Sequence, residues 1–143
     1  MAINDVFEMS GALKIRVNDE VVQDTTNTVV LAGKKWVADR MKGSNAAMSH
    51  MALGTGSTAV NQSDAALGSE LDRNALSVAG GTVKNNTITF ESTWAAGDGT
   101  GAIKEAGIFD ASTGGDMLAR TVFDVVNKGA NDSMTITWTV TVS

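Results

Sequence analysis

The sequence predicts a mostly β protein, an antiparallel β-sandwich of jelly-roll-like kind with one α-helix near the N-terminus. Three observations carry this. Residues 134–143 alternate without a break, with Met134, Ile136, Trp138, Val140 and Val142 on one face and Thr135, Thr137, Thr139, Thr141 and Ser143 on the other. Successive strand side chains point to opposite sheet faces, so this period of two marks a half-buried strand. Strand-like runs and turn clusters then recur about every ten residues, the spacing of a sandwich. Only one stretch, from Asn27 to Lys42, has a helical period.

Taken in order, residues 1–11 lack any period and are expected to form an N-terminal arm. A single domain is expected over 12–143, with its helix at about 28–42. Leu13, Ile15 and Val17 alternate with Lys14 and Arg16, and Asn18-Asp19 turns the chain into a second hairpin strand over 20–25. In the helical stretch Val29, Val30, Gly33, Trp36, Val37, Arg40 and Met41 share one side at spacings of three and four. Asn27 or Thr28 is placed to cap its start, Lys42-Gly43 to end it, and Trp36 to anchor it on the sheets.

Residues 49–54 read as a short strand and 55–64 as a long loop of small residues. Residues 65–71 read as a short helical turn, and 74–78 as a strand. The stretch 82–94 is extended, with Ile88, Phe90 and Trp94 facing inward and Asn85-Asn86 marking a bulge or break. A second loop covers 95–101. Strands follow at 103–110 and 117–126, with turns at 111–116 and 127–133.

Composition narrows the function. The 143 residues are 43% hydrophobic and 19% charged, ordinary for a folded domain. Absence of cysteine excludes disulfides and thiolate metal sites, and the 15 glycines with no proline leave the turns to Gly, Asn and Asp. No apolar run approaches the roughly 18 residues of a membrane span, so no membrane partner is expected. The opening residues do not resemble a secretory signal. A net charge of −5 argues against nucleic acid as a partner.

The chemistry-bearing patterns are thin. Gly54-Thr55-Gly56 completes no phosphate-binding loop, and the lone His50 has no second imidazole to share a metal. No serine lies in a nucleophile elbow. Asp64, Glu70 and Asp72, like Glu105, Asp110 and Asp116, read as solvated charges or local salt bridges. No catalytic residue, cofactor or metal site is therefore expected, and no enzymatic activity. Arg120 stands among Leu118, Val122 and Phe123, and Glu105 is its expected partner because an unpaired buried charge is costly. Trp36, Glu105, Arg120 and Trp138 are taken as structural.

The runs MSHMALGTGSTAVNQSDAALGSELDRNAL, IKEAGIFDASTGGDMLARTVF and VNKGANDSMTITWTVTV, preceded by the helix with Asn27, Gly33, Trp36, Ala38 and Arg40, resemble small β-sandwich structural proteins of tailed bacteriophages. This resemblance spans about residues 27–143. It implies a virion component without enzymatic activity, made in the bacterial host cytoplasm. The main expectation is a head decoration or cement protein bound to the major capsid protein on the outer surface of the head, as a homodimer or homotrimer. The alternative is a tail, baseplate or fibre-attachment protein, and a carbohydrate-binding sandwich is remote. Partner contacts are expected from Ile3, Val6 and Phe7 in the arm, from Thr55, Ser57, Val60 and Asn61 in the first loop, and from Asp98 and Thr100 in the second.

Overall fold

Alternation in the closing strand has a direct structural counterpart in the computed structural model, which describes residues 8–143. Among the described residues the elements run β1 (Met9–Val17), β2 (Glu20–Thr26), β3 (Thr28–Val29), α1 (Leu31–Lys42), β4 (His50–Gly54) and β5 (Glu70–Ala75). They continue with β6 (Thr82–Lys84), β7 (Thr87–Trp94), β8 (Gly101–Phe109), β9 (Met117–Lys128) and β10 (Met134–Val142). One sheet has the order β2-β1-β10-β7-β6 and the other β3-β9-β8-β4-β5. All neighbouring pairs are antiparallel.

Strand β10 is therefore central, paired with β1 from Met9↔Val142 to Val17↔Met134 and with β7 from Met134↔Trp94 to Thr141↔Thr87. Its Met134, Ile136, Trp138 and Val140 are fully buried and pack with Leu13, Ile15, Phe90 and Trp94 of the same sheet. Met51, Leu53, Ile103 and Ile108 meet them from the other sheet, so the core lies between two apolar faces. At about 1.5–3 kcal/mol for each large side chain taken out of water, this face is the main stabilising feature of the fold.

The second sheet is covered on its outer face as well. Val30, Ala52, Leu67, Phe109 and Met117 form a smaller apolar cluster there, with Leu67 brought by the loop between β4 and β5. Burial on both faces explains why Met51 to Gly54 are buried in succession without alternation.

The hairpin turn at Asn18-Asp19 has both residues left-handed, at φ 50° and 68°, the geometry that matches the twist of two-residue hairpins. Several expectations need correction. The helix starts at Leu31, and its N-cap, Val30, makes no side-chain capping bond. Thr28 is held in β3, Asn27 Oδ1 accepts a bond from Trp138 Nε1 at 2.7 Å, and Gln62 O accepts the Leu31 N–H at 2.8 Å. The competing bonds leave neither residue free to cap. Gly43, left-handed at φ 92°, ends the helix as expected.

Met41, placed on the apolar side, is 84% exposed, because the sheet contact ends near Trp36 and Val37. No helical turn forms over 65–71, and β5 occupies 70–75 instead of 74–78. Its polar run Glu70-Leu71-Asp72-Arg73 forms an edge strand, which needs no apolar face. Asn85-Asn86 forms the turn of a β6–β7 hairpin, with Asn85 at φ 54°. The arm expected over 1–11 divides, since Met9, Ser10 and Gly11 belong to β1 while 1–7 lie outside the described residues.

Candidate functional site

Among the described residues a dense polar network lies under the β4–β5 loop, residues 55–69. Glu105, on β8, has no exposed surface and faces this loop. Its Oε2 accepts the N–H groups of Gly56 at 2.7 Å and Ser69 at 2.8 Å. Its Oε1 accepts the N–H of Gly68 at 2.7 Å and Arg120 Nε and Nη2 at 3.1 and 3.0 Å. Both ends of the loop are thus tied to one carboxylate. Arg120, on β9, extends the tie to the middle, donating to Asp64 Oδ2 at 2.9 Å and to Thr58 O at 3.1 Å.

The approach is close enough to require small residues. A Cβ on Gly56 would lie 2.3 Å from Glu105 Oε2, and one on Gly54 would lie 2.5 Å from it. This gives Gly-Thr-Gly a structural reason unrelated to phosphate. Burial opposes the charge on Glu105, but the amides of Ser69 and Gly68, the Arg120 guanidinium and the Gly56 amide together hold its carboxyl below the usual value of 4.5. Five donors surround the two oxygens, so the carboxylate has the surroundings of a structural anion and lacks the open lone pair a general base uses.

The loop is folded in its own right. Asn61 N–H donates to Asp64 Oδ2 and Ser63 N–H to Asn61 Oδ1, both at 2.9 Å, forming a compact turn at its crest. Ser57 and Asn61 are exposed, and Thr55 and Val60 half-buried. Asp98 and Thr100 are exposed on the β7–β8 loop. The registers Gly54↔Glu105 and Gly101↔Lys128 place the departures of both loops at the same end of the sandwich. Ile3, Val6 and Phe7 lie outside the described residues.

Trp138 is fully buried in the core, whereas Trp36 is half-buried and donates from Nε1 to Ala46 O at 2.9 Å. His50 is half-buried, with Nδ1 2.7 Å from Ser49 Oγ. Among the described residues no group of three or more His, Cys, Asp or Glu side chains is placed to hold a metal ion. Asp64 was the residue missed by sequence reasoning, which took it as solvated or locally paired. It reaches Arg120 across 56 positions, and no periodicity could have shown that.

A family model described as Podophage GP4 fiber I protein gp80 matches residues 42–139, about two thirds of the chain. The match begins at the end of α1 and contains both loops, Glu105 and Arg120. No curated protein and no solved structure matches the chain.

Proposed function

The chain belongs to the family of podophage GP4 fiber I protein gp80, and is thus a structural protein of a tailed-phage virion; from that premise we propose that it serves in the tail fibre or its attachment. The family match is the observation that carries this reading, and it favours the fibre over the head decoration role expected from the sequence. The proposed role is binding without catalysis, in keeping with the enclosed setting of Glu105.

The proposed contact surface is the exposed part of the 55–69 loop, Ser57 and Asn61 foremost, with Asp98 and Thr100 at the same end. A loop held in place before contact loses little conformational freedom on docking, so more of its contact energy is retained as affinity. The partners in this reading are neighbouring tail or fibre proteins, and other copies of the chain.

Separating virions into DNA-filled heads and detached tails and probing each with antibody tests the assignment. Recovery with tails is expected. Recovery with heads alone would return the protein to the capsid surface. Replacing Ser57 with Lys, at an exposed position, is expected to lower its occupancy on tails while leaving the melting temperature of the isolated protein unchanged.

A further inference from the structure

We propose that the outer face of the sheet β2-β1-β10-β7-β6 receives a second copy of the chain across a two-fold axis running along β10. The core lies on the inner side of this sheet, and Lys14, Asp24, Glu91 and Thr93 are exposed on the outer side. The opposite sheet carries Leu67 and its loop on its own outer face, so among the described residues this is the broad face left uncovered. Strands of three to nine residues, about 4.8 Å apart and about 3.4 Å per residue, project roughly 600 Å² per copy. A pair of such faces reaches the lower end of the range of about 1,200–2,000 Å² that specific interfaces bury.

The charges are arranged so that this face fits itself. β10 is the middle strand of the five, and its outward side chains are Thr135, Thr137, Thr139 and Thr141. The registers Lys14↔Thr137 and Thr137↔Glu91 set a cation and an anion on either side of Thr137, each one strand spacing away. Neither Lys14 nor Glu91 makes an ion pair among the described residues. A two-fold axis along β10 exchanges the positions of β1 and β7, so Lys14 of each copy lies over Glu91 of the other and both pairs form at once. The same operation sets Arg16 over Thr93, through the registers Arg16↔Thr135 and Thr135↔Thr93, and opposes no like charges between these strands. Hydroxyls under the cover stay paired, since Thr137 donates to Glu91 at 3.0 Å and those of Thr93 and Thr135 lie 3.0 Å apart. Threonine is also stiff at χ1, so little rotamer freedom is lost on docking. Both 55–69 loops stay exposed in such a pair, which goes beyond the fibre assignment without depending on it.

Two charge reversals in the full chain test this, with circular dichroism to confirm that each variant is folded. Sedimentation equilibrium at about 100 µM is expected to find the unaltered protein dimeric, and Lys14→Glu and Glu91→Lys each to associate about tenfold more weakly or worse, because each sets like charges face to face. Mixed one to one, the two variants are expected to regain the dimer, since every lysine of one then faces a glutamate of the other. Glu91→Lys has uncharged Thr137 as its cross-strand neighbour, and it tests the axis alone should Lys14→Glu, beside Asp24, lose its fold. A monomer of the unaltered protein at that concentration, single variants that dimerise as it does, or folded variants that stay apart when mixed would each overturn the proposal. None of these outcomes changes with whether the protein is recovered with heads or with tails.

Discussion

Glu105 concentrates in one carboxylate the bonds that hold fourteen residues of loop in shape, from Gly56 to Ser69. Replacing it with Gln removes the charge facing Arg120 and turns one acceptor into a donor aimed at amide donors. Breaking a buried pair from one side costs about 3 kcal/mol, to be read from urea unfolding. The variant is also expected to be cut within 55–69 by trypsin-free proteases such as thermolysin while the sandwich stays folded. The sign of the pH effect follows from the lowered carboxyl. The charged form is favoured by folding, so its contribution is fully present above 4.5 and is lost as pH falls through the lower folded value. Unfolding free energy is therefore expected to hold level from neutral pH to about 4.5 and to fall below it, with part of that slope missing in Glu105→Gln.

At the scale of elements, α1 lies against β9 through a point of near contact at Gly33. A Cβ there would lie 2.1 Å from the carbonyl oxygen of Leu118, which is backbone and cannot turn aside. Alanine favours an isolated helix over glycine by about 1 kcal/mol, yet Gly33→Ala is expected to destabilise this protein by roughly 1–3 kcal/mol through displacement of the helix. A drop in the thermal midpoint checks the sign. The sheet edges are also informative. β3 and β6 are two and three residues long, β2 faces a register shift at Ile15/Arg16, and β5 carries Glu70, Asp72 and Arg73. Short, irregular or charged edges disfavour strand addition, leaving loops and faces for assembly.

These elements were unequally legible in the sequence. Strand β10, the Asn18-Asp19 turn and the Gly43 stop were visible because each depends on local chemistry, namely alternation, left-handed backbone and loss of Cβ. Glu105 and Arg120 stood out as charges within apolar runs. Strand β5 was misplaced because an edge strand of mixed charge has no buried face to impose a period. The donors from Gly56, Gly68 and Ser69 are backbone groups with no side-chain signature, and their partner lies 36 to 49 positions away.

For the whole molecule, the pairing of β1 with β10 closes the fold by joining the beginning of the described chain to its end. Such long-range pairing delays closure of the core until the last strand is present. The same pairing sets how the protein answers to mechanical load. Residues 8 and 143 sit side by side at one end of two antiparallel neighbours, so tension applied between them opens the ladder one rung at a time, like a zip. Tension between residue 17 and residue 142, at opposite ends of the same two strands, must shear all nine register pairs together. Single-molecule pulling is expected to give a markedly lower rupture force for the first attachment than for the second. On the proposed fibre role, a domain built this way is durable only where load enters at opposite ends of that strand pair.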